Sequence, residues 1–403
     1  MRVVYWIILG LVTFSYSCST LTQKKVSEEY IDDFHESILT VDSHTDTPLR
    51  FTREGFDFGE RQSPKRGGSK IDLPRMKEGK LDGVFMAVFL GQRETTDEGY
   101  LNAKMKAYQI FDSIYSVINR YNEDLRLATN PGEFRRNDSE GKHSIFIGLE
   151  NGYPIGMDVT MVDSFYNLGA RYITLCHTKN NQLCDSSTDP DGPEHNGLSP
   201  LGIDVVKRMN ELGMMVDVSH ISDKSFYDVL EVTSKPVIAS HSCARAICDN
   251  PRNLDDEMLK TLAKNGGVIQ MCILSAYVEE PVPNPQRDSA KNAVYEKHGD
   301  YYELDETAKG AFLEDWYKVD EIFPPKLANV RKVVDHIDHI VTVAGIDHVG
   351  IGTDFDGGGG VEGCYDVSEI KNITAELLRR GYSEKDIRKI WSGNLLRVMD
   401  KQG

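Results

Sequence analysis

The sequence predicts an α/β protein built as a (β/α)8 barrel in one large domain. Three observations carry that expectation. The chain has 403 residues and 40% hydrophobic content, enough for one large core. Eight short apolar runs alternate with helical patterns along it. Six of those runs end in His, Asp or Glu, and a barrel delivers its strand ends to a single rim. A doubly wound sheet fits eight regular units less well.

At the start, Met1-Arg2 precedes an apolar run over 3–14, followed by Ser15-Tyr16-Ser17-Cys18. The run is too short for a comfortable membrane span and reads as a signal peptide over 1–17. A small residue before Cys18 resembles a bacterial lipoprotein signal, in which the cysteine is lipidated; Ser15 departs from it, because that position is usually aliphatic. Acyl chains on Cys18 anchor a protein to a membrane without spanning it. The expectation is an exported protein, lipid-anchored in the bacterial cell envelope at the outer membrane or in the periplasm. Residues 18–35 read as a polar N-terminal tether running into a helix, and 36–403 as a single domain.

The first strand is Ile38-Leu39-Thr40-Val41, running into Asp42-Ser43-His44-Thr45-Asp46-Thr47-Pro48. Alternate strand residues share a side, so His44 and Asp46 can converge. An imidazole and a carboxylate meeting there suit a zinc-class ion. Residues 52–70, rich in Gly, Arg and Lys, read as a long loop. The second strand covers 84–90 and a helix follows over 97–121. The third strand, 144–149, ends at Glu150-Asn151-Gly152. A helix over 159–168 leads to the fourth strand, 172–176, which ends at His177. After a polar loop over 178–198, Ser199-Pro200 starts a helix over 201–212. The fifth strand, 214–219, ends at His220, and Ser222 or Asp223 caps the next helix. The sixth, 236–240, ends at His241. A helix over 255–264 precedes the seventh, 267–273. A long insertion, 279–326, is polar, Pro-rich at its edges and partly helical. Beyond it come a helix over 330–344 and the eighth strand, 348–353, ending at Asp354-Phe355-Asp356-Gly357. Helices fill 367–400.

A net charge of −17 argues against nucleic acid or an anionic membrane surface as partner. Beyond Cys18 the cysteines are Cys176, Cys184, Cys243, Cys248, Cys272 and Cys364, with no C-x-x-C pattern. Free thiols and disulfides are equally open readings. Four of the 11 His fall at strand ends, with His44, Asp46, Glu150, His177, His220, His241 and Asp354 on one predicted rim. A buried cluster of carboxylates and imidazoles needs cations to offset desolvation and repulsion. Three His, one Asp and one Glu are too many for one catalytic zinc, which takes three protein ligands. They suit two metals sharing a carboxylate. Two ions about 3.5–4 Å apart can deprotonate a bridging water and polarise a scissile carbonyl. The expected chemistry is metal-assisted hydrolysis.

These stretches resemble the membrane dipeptidase (renal dipeptidase) family of amidohydrolase-like metal barrels, from about residue 40 to residue 398. The most specific segments are 41–48, 72–79, 148–152, 197–222, 239–253, 350–357 and 393–398. His177 with Asn180-Asn181 and Asp185-Ser186 resembles a further family motif. The resemblance implies a bacterial zinc dipeptidase that hydrolyses dipeptides through a metal-bridged hydroxide and accepts a C-terminal D-residue. It implies two Zn2+ per chain: His44 and Asp46 on the first, His220 and His241 on the second, and Glu150 bridging. It makes His177 the contact to the substrate carbonyl and Asp354 the proton carrier. Arg252, in Pro251-Arg252-Asn253, grips the substrate carboxylate, with Tyr277 assisting. Asp356 is read as a loop residue. The implied partner is a small dipeptide, and a homodimer is compatible with the family. Two alternatives remain: a related amidohydrolase on a cyclic amide or lactone, and a non-catalytic, peptide-binding surface lipoprotein. A neutral cyclic substrate has no need of Arg252, and a non-catalytic barrel has no need of the complete ligand set.

Overall fold

The computed structural model describes residues 26–64, 68–301 and 304–403. The expected signal peptide and Cys18 lie outside the described residues. The strands are β1 (Val41–Thr45), β2 (Gly83–Phe89), β3 (Leu125–Leu127), β4 (His143–Glu150), β5 (Ala170–Thr174), β6 (Met215–Asp217), β7 (Ile238–Ser242), β8 (Val268–Met271) and β9 (Val349–Ile351). All pairings between them are parallel, in the order β1-β2-β4-β5-β6-β7-β8-β9, and β3 adds to the base of β4. Closure between the last strand and the first is made just past the strand ends. Asp46 N–H donates to the Phe355 carbonyl at 2.9 Å, and Asp354 N–H donates to the His44 carbonyl at 3.1 Å. The eight expected strands are therefore present as a (β/α)8 barrel.

Outer helices cover one face of this sheet and the barrel lumen covers the other. The strands are buried on both faces, which is why they read as apolar runs rather than alternating ones. The lumen holds Val41, Phe85, Phe146, Tyr172, Met215, Ile238 and Val268. Phe85 stacks on Phe146 with centroids 4.6 Å apart and on Tyr172 at 5.3 Å. Leu395, Leu396, Val398 and Met399, from helix Asn394–Asp400, join the same cluster. This packed plug is the floor on which the rim residues stand. Truncating one of its rings costs roughly 3–5 kcal/mol by cavity formation.

Helix starts are set by side-chain caps. Ser199 accepts the Gly202 N–H at 3.0 Å, and Ser222, rather than Asp223, accepts the Ser225 N–H at 3.1 Å. Gly213 and Gly266 end their helices at φ 74° and 84°, left-handed conformations that favour glycine.

Several expectations need correction. Strand β3 and helix Pro131–Ser139 were not anticipated, because a three-residue strand carries no periodicity. Helix Glu28–Glu36 buries Ile31, Phe34 and His35, so the folded part begins ahead of residue 36. β5 and β6 end three residues before His177 and His220, which lie on loops, whereas His241 lies inside β7. The insertion folds as two helices, Pro285–His298 and Glu306–Ile322, around Val294, Phe312 and Val319. Ion pairs link the two helices: Arg287 and Lys291 reach Asp320, and Lys297 and His298 reach Asp315. Among the described residues the six cysteines are free, buried thiols. No described helix is long and apolar enough to cross a membrane.

Candidate active site

Glu150 closes β4 and sits at the centre of the rim. Its Oε2 lies 3.2 Å from His44 Nε2. Its Oε1 lies 3.1 Å from His220 Nε2, 3.5 Å from His241 Nε2 and 3.7 Å from His177 Nε2. The two oxygens of one carboxylate thus face two different sets of imidazoles. His220 and His241 bring their Nε2 atoms to 2.8 Å. Asp46 Oδ2 lies 4.0 Å from His44 Nε2, and Asp354 joins that pair with ligand atoms within 4.8 Å. All seven expected rim residues therefore converge. His177 is the most open, with 17% of its side chain exposed, and stands at the mouth.

The backbone is bent to achieve this. Asn151, His220, Asp354 and Asp356 all have φ between 59° and 80°, a region that non-glycine residues avoid. Such strain persists where surrounding bonds hold it, and it concentrates at functional sites. Here the Asp354 carbonyl accepts the N–H groups of Gly357, Gly358 and Gly359. A Cβ on Gly357 would come within 2.1 Å of Asp46 Oδ2 and 2.3 Å of Asp354 Oδ1, so only glycine lets the chain pass behind both carboxylates. The 178–198 loop is braced by Asp185, which accepts the N–H groups of Glu194, His195 and Gly197. Ser186 Oγ donates to the His177 carbonyl at 2.6 Å, and Phe89 packs edge-on against the His177 ring at 4.7 Å.

Burial pushes the His220 and His241 imidazoles well below their usual range, and His177 down to about 4. Burial alone would also depress His44, but Glu150, Asp46 and Asp354 raise it to about 10. Asp46 and Asp354 are pushed well above the usual carboxylate range, first by burial, with the Glu150 charge adding to both. Burial would raise Glu150 too, but His44, His220 and His177 hold it well below its ordinary value. His44 Nε2, Asp46 Oδ1 and Glu150 Oε2 are buried without a hydrogen-bond partner. Each such group costs about 1–3 kcal/mol when left unsatisfied. Imidazole nitrogens and carboxylate oxygens aimed at one point are the donor set of a zinc-class ion, so these residues fit a metal centre.

Arg252 is only 3% exposed; its Nη2 donates to the His241 carbonyl at 3.2 Å, and its Nε has no partner. Its guanidinium carbon lies 5.4 Å from the centre of the Tyr277 ring, so these two expected residues meet beside the second half of the site. Burial pushes the Tyr277 hydroxyl up to about 12. Asp356 behaves as a loop residue: it accepts Thr47 Oγ1, Ser69 Oγ and the Lys70 N–H.

Three residues behind the rim were missed from sequence. Tyr172 places its hydroxyl 2.8 Å from His44 Nδ1, Ser240 Oγ lies 2.8 Å from His241 Nδ1, and Asp217 bonds Ser240. Tyr172 and Ser240 look like ordinary strand residues. Asp217 left a signal, a carboxylate inside the apolar run Met214-Met215-Val216-Asp217-Val218.

The model of the membrane dipeptidase family, peptidase family M19, matches residues 28–402. Dipeptidase tcpJ of Claviceps purpurea is 31% identical over 366 residues, covering 89% of this chain and 76% of its own. The crystal structure of the probable dipeptidase PvdM from Pseudomonas aeruginosa is 32% identical, with TM-score 0.80, covering 93% of this chain and 98% of that one. A metallo peptidase from Rhodobacter sphaeroides, liganded with a phosphinate mimic of the dipeptide L-Ala-D-Ala, shares the fold at TM-score 0.72 and 22% identity, covering 91% of this chain and 99% of that one. With a barrel rim that fits a metal and a family match across nearly all described residues, the chain belongs to the membrane dipeptidase family and is a metallo-dipeptidase.

Proposed function

We propose that the chain is a zinc dipeptidase with two Zn2+, one held by His44 and Asp46, the other by His220 and His241, with Glu150 between them. The observation that carries this reading is the division of the Glu150 oxygens, Oε2 toward His44 and Oε1 toward His220 and His241. Bound there, the ions supply Lewis acidity and lower the pKa of water.

The protein's own groups do the rest. Arg252, buried and with an unpartnered Nε, pairs with the C-terminal carboxylate of the dipeptide, and Tyr277 backs its guanidinium. That fixes the scissile bond relative to the rim. His177, neutral because burial depresses it, presents an N–H to the carbonyl oxygen as negative charge develops there. Asp354 accepts a proton from the attacking water and returns it to the leaving amine, so one water and one dipeptide give two amino acids. Acceptance of a C-terminal D-residue is supported by the dipeptide mimic in the Rhodobacter sphaeroides relative.

A panel of L,L and L,D dipeptides, with and without a chelator, tests this. Turnover of several dipeptides, abolished by chelation and restored by zinc, is expected. Full activity in protein free of metal would reject the reading. Export and anchoring through Cys18 form part of the same proposal, supported by the small residue before Cys18 and the apolar run. Cys18→Ala should move the protein out of the membrane fraction; unchanged partition, with no lipid on the wild-type N-terminus, would reject the anchor.

A further inference from the structure

Two carboxylates are buried beneath the rim without being candidate ligands: Asp42 in β1 and Asp217 at the end of β6. Their surroundings match. Asp42 Oδ1 accepts the His44 N–H at 3.1 Å and the Thr353 N–H at 2.8 Å, and its Oδ2 accepts the Thr353 hydroxyl. Asp217 Oδ1 accepts the Ser219 N–H at 3.0 Å and the Ser240 N–H at 2.8 Å. Its Oδ2 accepts the Ser240 hydroxyl at 2.6 Å and the Thr174 hydroxyl at 2.5 Å. Each Asp therefore holds the N–H two residues on, plus the N–H and hydroxyl of one residue from a neighbouring segment. Those grips fall where the backbone ladder is failing. β6 and β7 pair only at Asp217↔Ile238, and the β1–β2 register shifts between Asp42 and Thr45. They also fall at the site residues or just ahead of them. Asp42 holds His44 and the residue before Asp354; Asp217 holds the residues before His220 and His241.

At Asp217 the chain of bonds goes one step further. Ser240 Oγ lies 2.8 Å from His241 Nδ1. A serine hydroxyl has one proton, and this one is donated to Asp217. Toward His241 it can only accept. His241 Nδ1 must therefore carry the hydrogen, which leaves Nε2 bare and 3.5 Å from Glu150 Oε1. Partners of this kind orient metal-binding imidazoles, and losing one typically costs about 10–100-fold in metal affinity.

We propose that Asp42 and Asp217 are twin positioning carboxylates, one for each half of the metal centre, and that Asp217 acts through Ser240 to hold His241 in its metal-binding tautomer. This rests on the reading of His44, Asp46, Glu150, His220 and His241 as ligands.

The test uses the full chain carrying Ser240→Ala, Ser240→Thr or Thr353→Val. Ring nitrogen NMR of the metal-free protein, with His241 assigned by its loss in His241→Gln, reads the tautomer. Wild type and Ser240→Thr should carry the proton on Nδ1, and Ser240→Ala should lose that preference. Chelator competition should show one zinc bound roughly 10–100-fold more weakly in Ser240→Ala and within a few-fold of wild type in Ser240→Thr. Thr353→Val should weaken the other zinc and leave the His241 ring unchanged. A wild-type His241 protonated at Nε2, or wild-type zinc affinity in Ser240→Ala, would overturn the proposal. Equal weakening of both ions by either variant would overturn the assignment of one carboxylate to each half. If the wild type bound no zinc, the ligand reading would fail, and the tautomer measurement would still decide the role of Asp217.

Discussion

In the proposed reading Arg252 holds the carboxylate of the dipeptide and Asp354 acts at its scissile bond, and they should fail differently when changed. Arg252 contacts a group that does not react. Its guanidinium is buried, with one bond to a carbonyl and, among the described residues, no carboxylate partner. Arg252→Met should therefore raise KM for free dipeptides, since a buried charge-assisted pair is worth roughly 2–5 kcal/mol. The variant should also lose its preference over dipeptide amides. Asp354 moves protons in the transition state. Asp354→Asn keeps the shape and removes the base, so kcat should fall about 10²–10⁴-fold with little change in KM. Steady-state kinetics on both variants decide the matter. A pure kcat effect in Arg252→Met, or full turnover in Asp354→Asn, contradicts these roles.

Among the elements, legibility followed length and repetition. Helix Val330–Ala344 coincides with its expected range because it has four turns of apolar spacing and Asn329 to cap it. β3 and helix Pro131–Ser139 were invisible because each is short and carries little apolar signal. Strand ends were read late at β5 and β6 and early at β7, because an apolar run does not record where pairing stops. Asp217 continues the β6–β7 contact where the ladder ends, a side-chain bond that an apolar run does not record. The rim residues survived these errors because His177, His220 and His241 sit within a few residues of the true ends. Helix Glu28–Glu36, at the end of the expected tether, docks through Ile31, Phe34 and His35. His35 pairs its Nδ1 with Thr374 Oγ1 at 2.8 Å and its Nε2 with the Gly79 carbonyl at 3.1 Å. Burial lowers it to about 4, with the Gly79 carbonyl opposing only in part. An ordinary His titrates near 6.5, so between those values the unfolded chain holds more protons than the folded one. Stability should therefore fall as pH drops from about 6.5 to about 4, by up to roughly 3 kcal/mol from this group. Urea midpoints at pH 7.5 and 4.5 should differ less in His35→Phe than in wild type; an unchanged difference would remove His35 from the account.

For the whole molecule, the question is what holds the barrel when its metal is gone. The lumen cluster runs from Val41 and Phe85 to Leu396 and Met399 without using a candidate ligand. Closure of the last strand on the first uses backbone groups of His44, Asp46, Asp354 and Phe355, not their side chains. The fold should therefore survive metal removal. The rim should not be indifferent to it, because Asp46 and Asp354 are buried near Glu150 and pushed toward their protonated forms. A ligand that binds only the folded state stabilises it by RT ln(1 + [L]/Kd), about 4 kcal/mol at a thousandfold excess over Kd. Chelated protein should keep its far-ultraviolet circular dichroism and melt several degrees lower, and zinc should restore the melting temperature in a concentration-dependent way. Loss of helical signal on chelation at 25 °C would mean that the metal centre, rather than the lumen, holds the barrel together. An unchanged melting temperature would mean that the rim binds no metal strongly enough to matter.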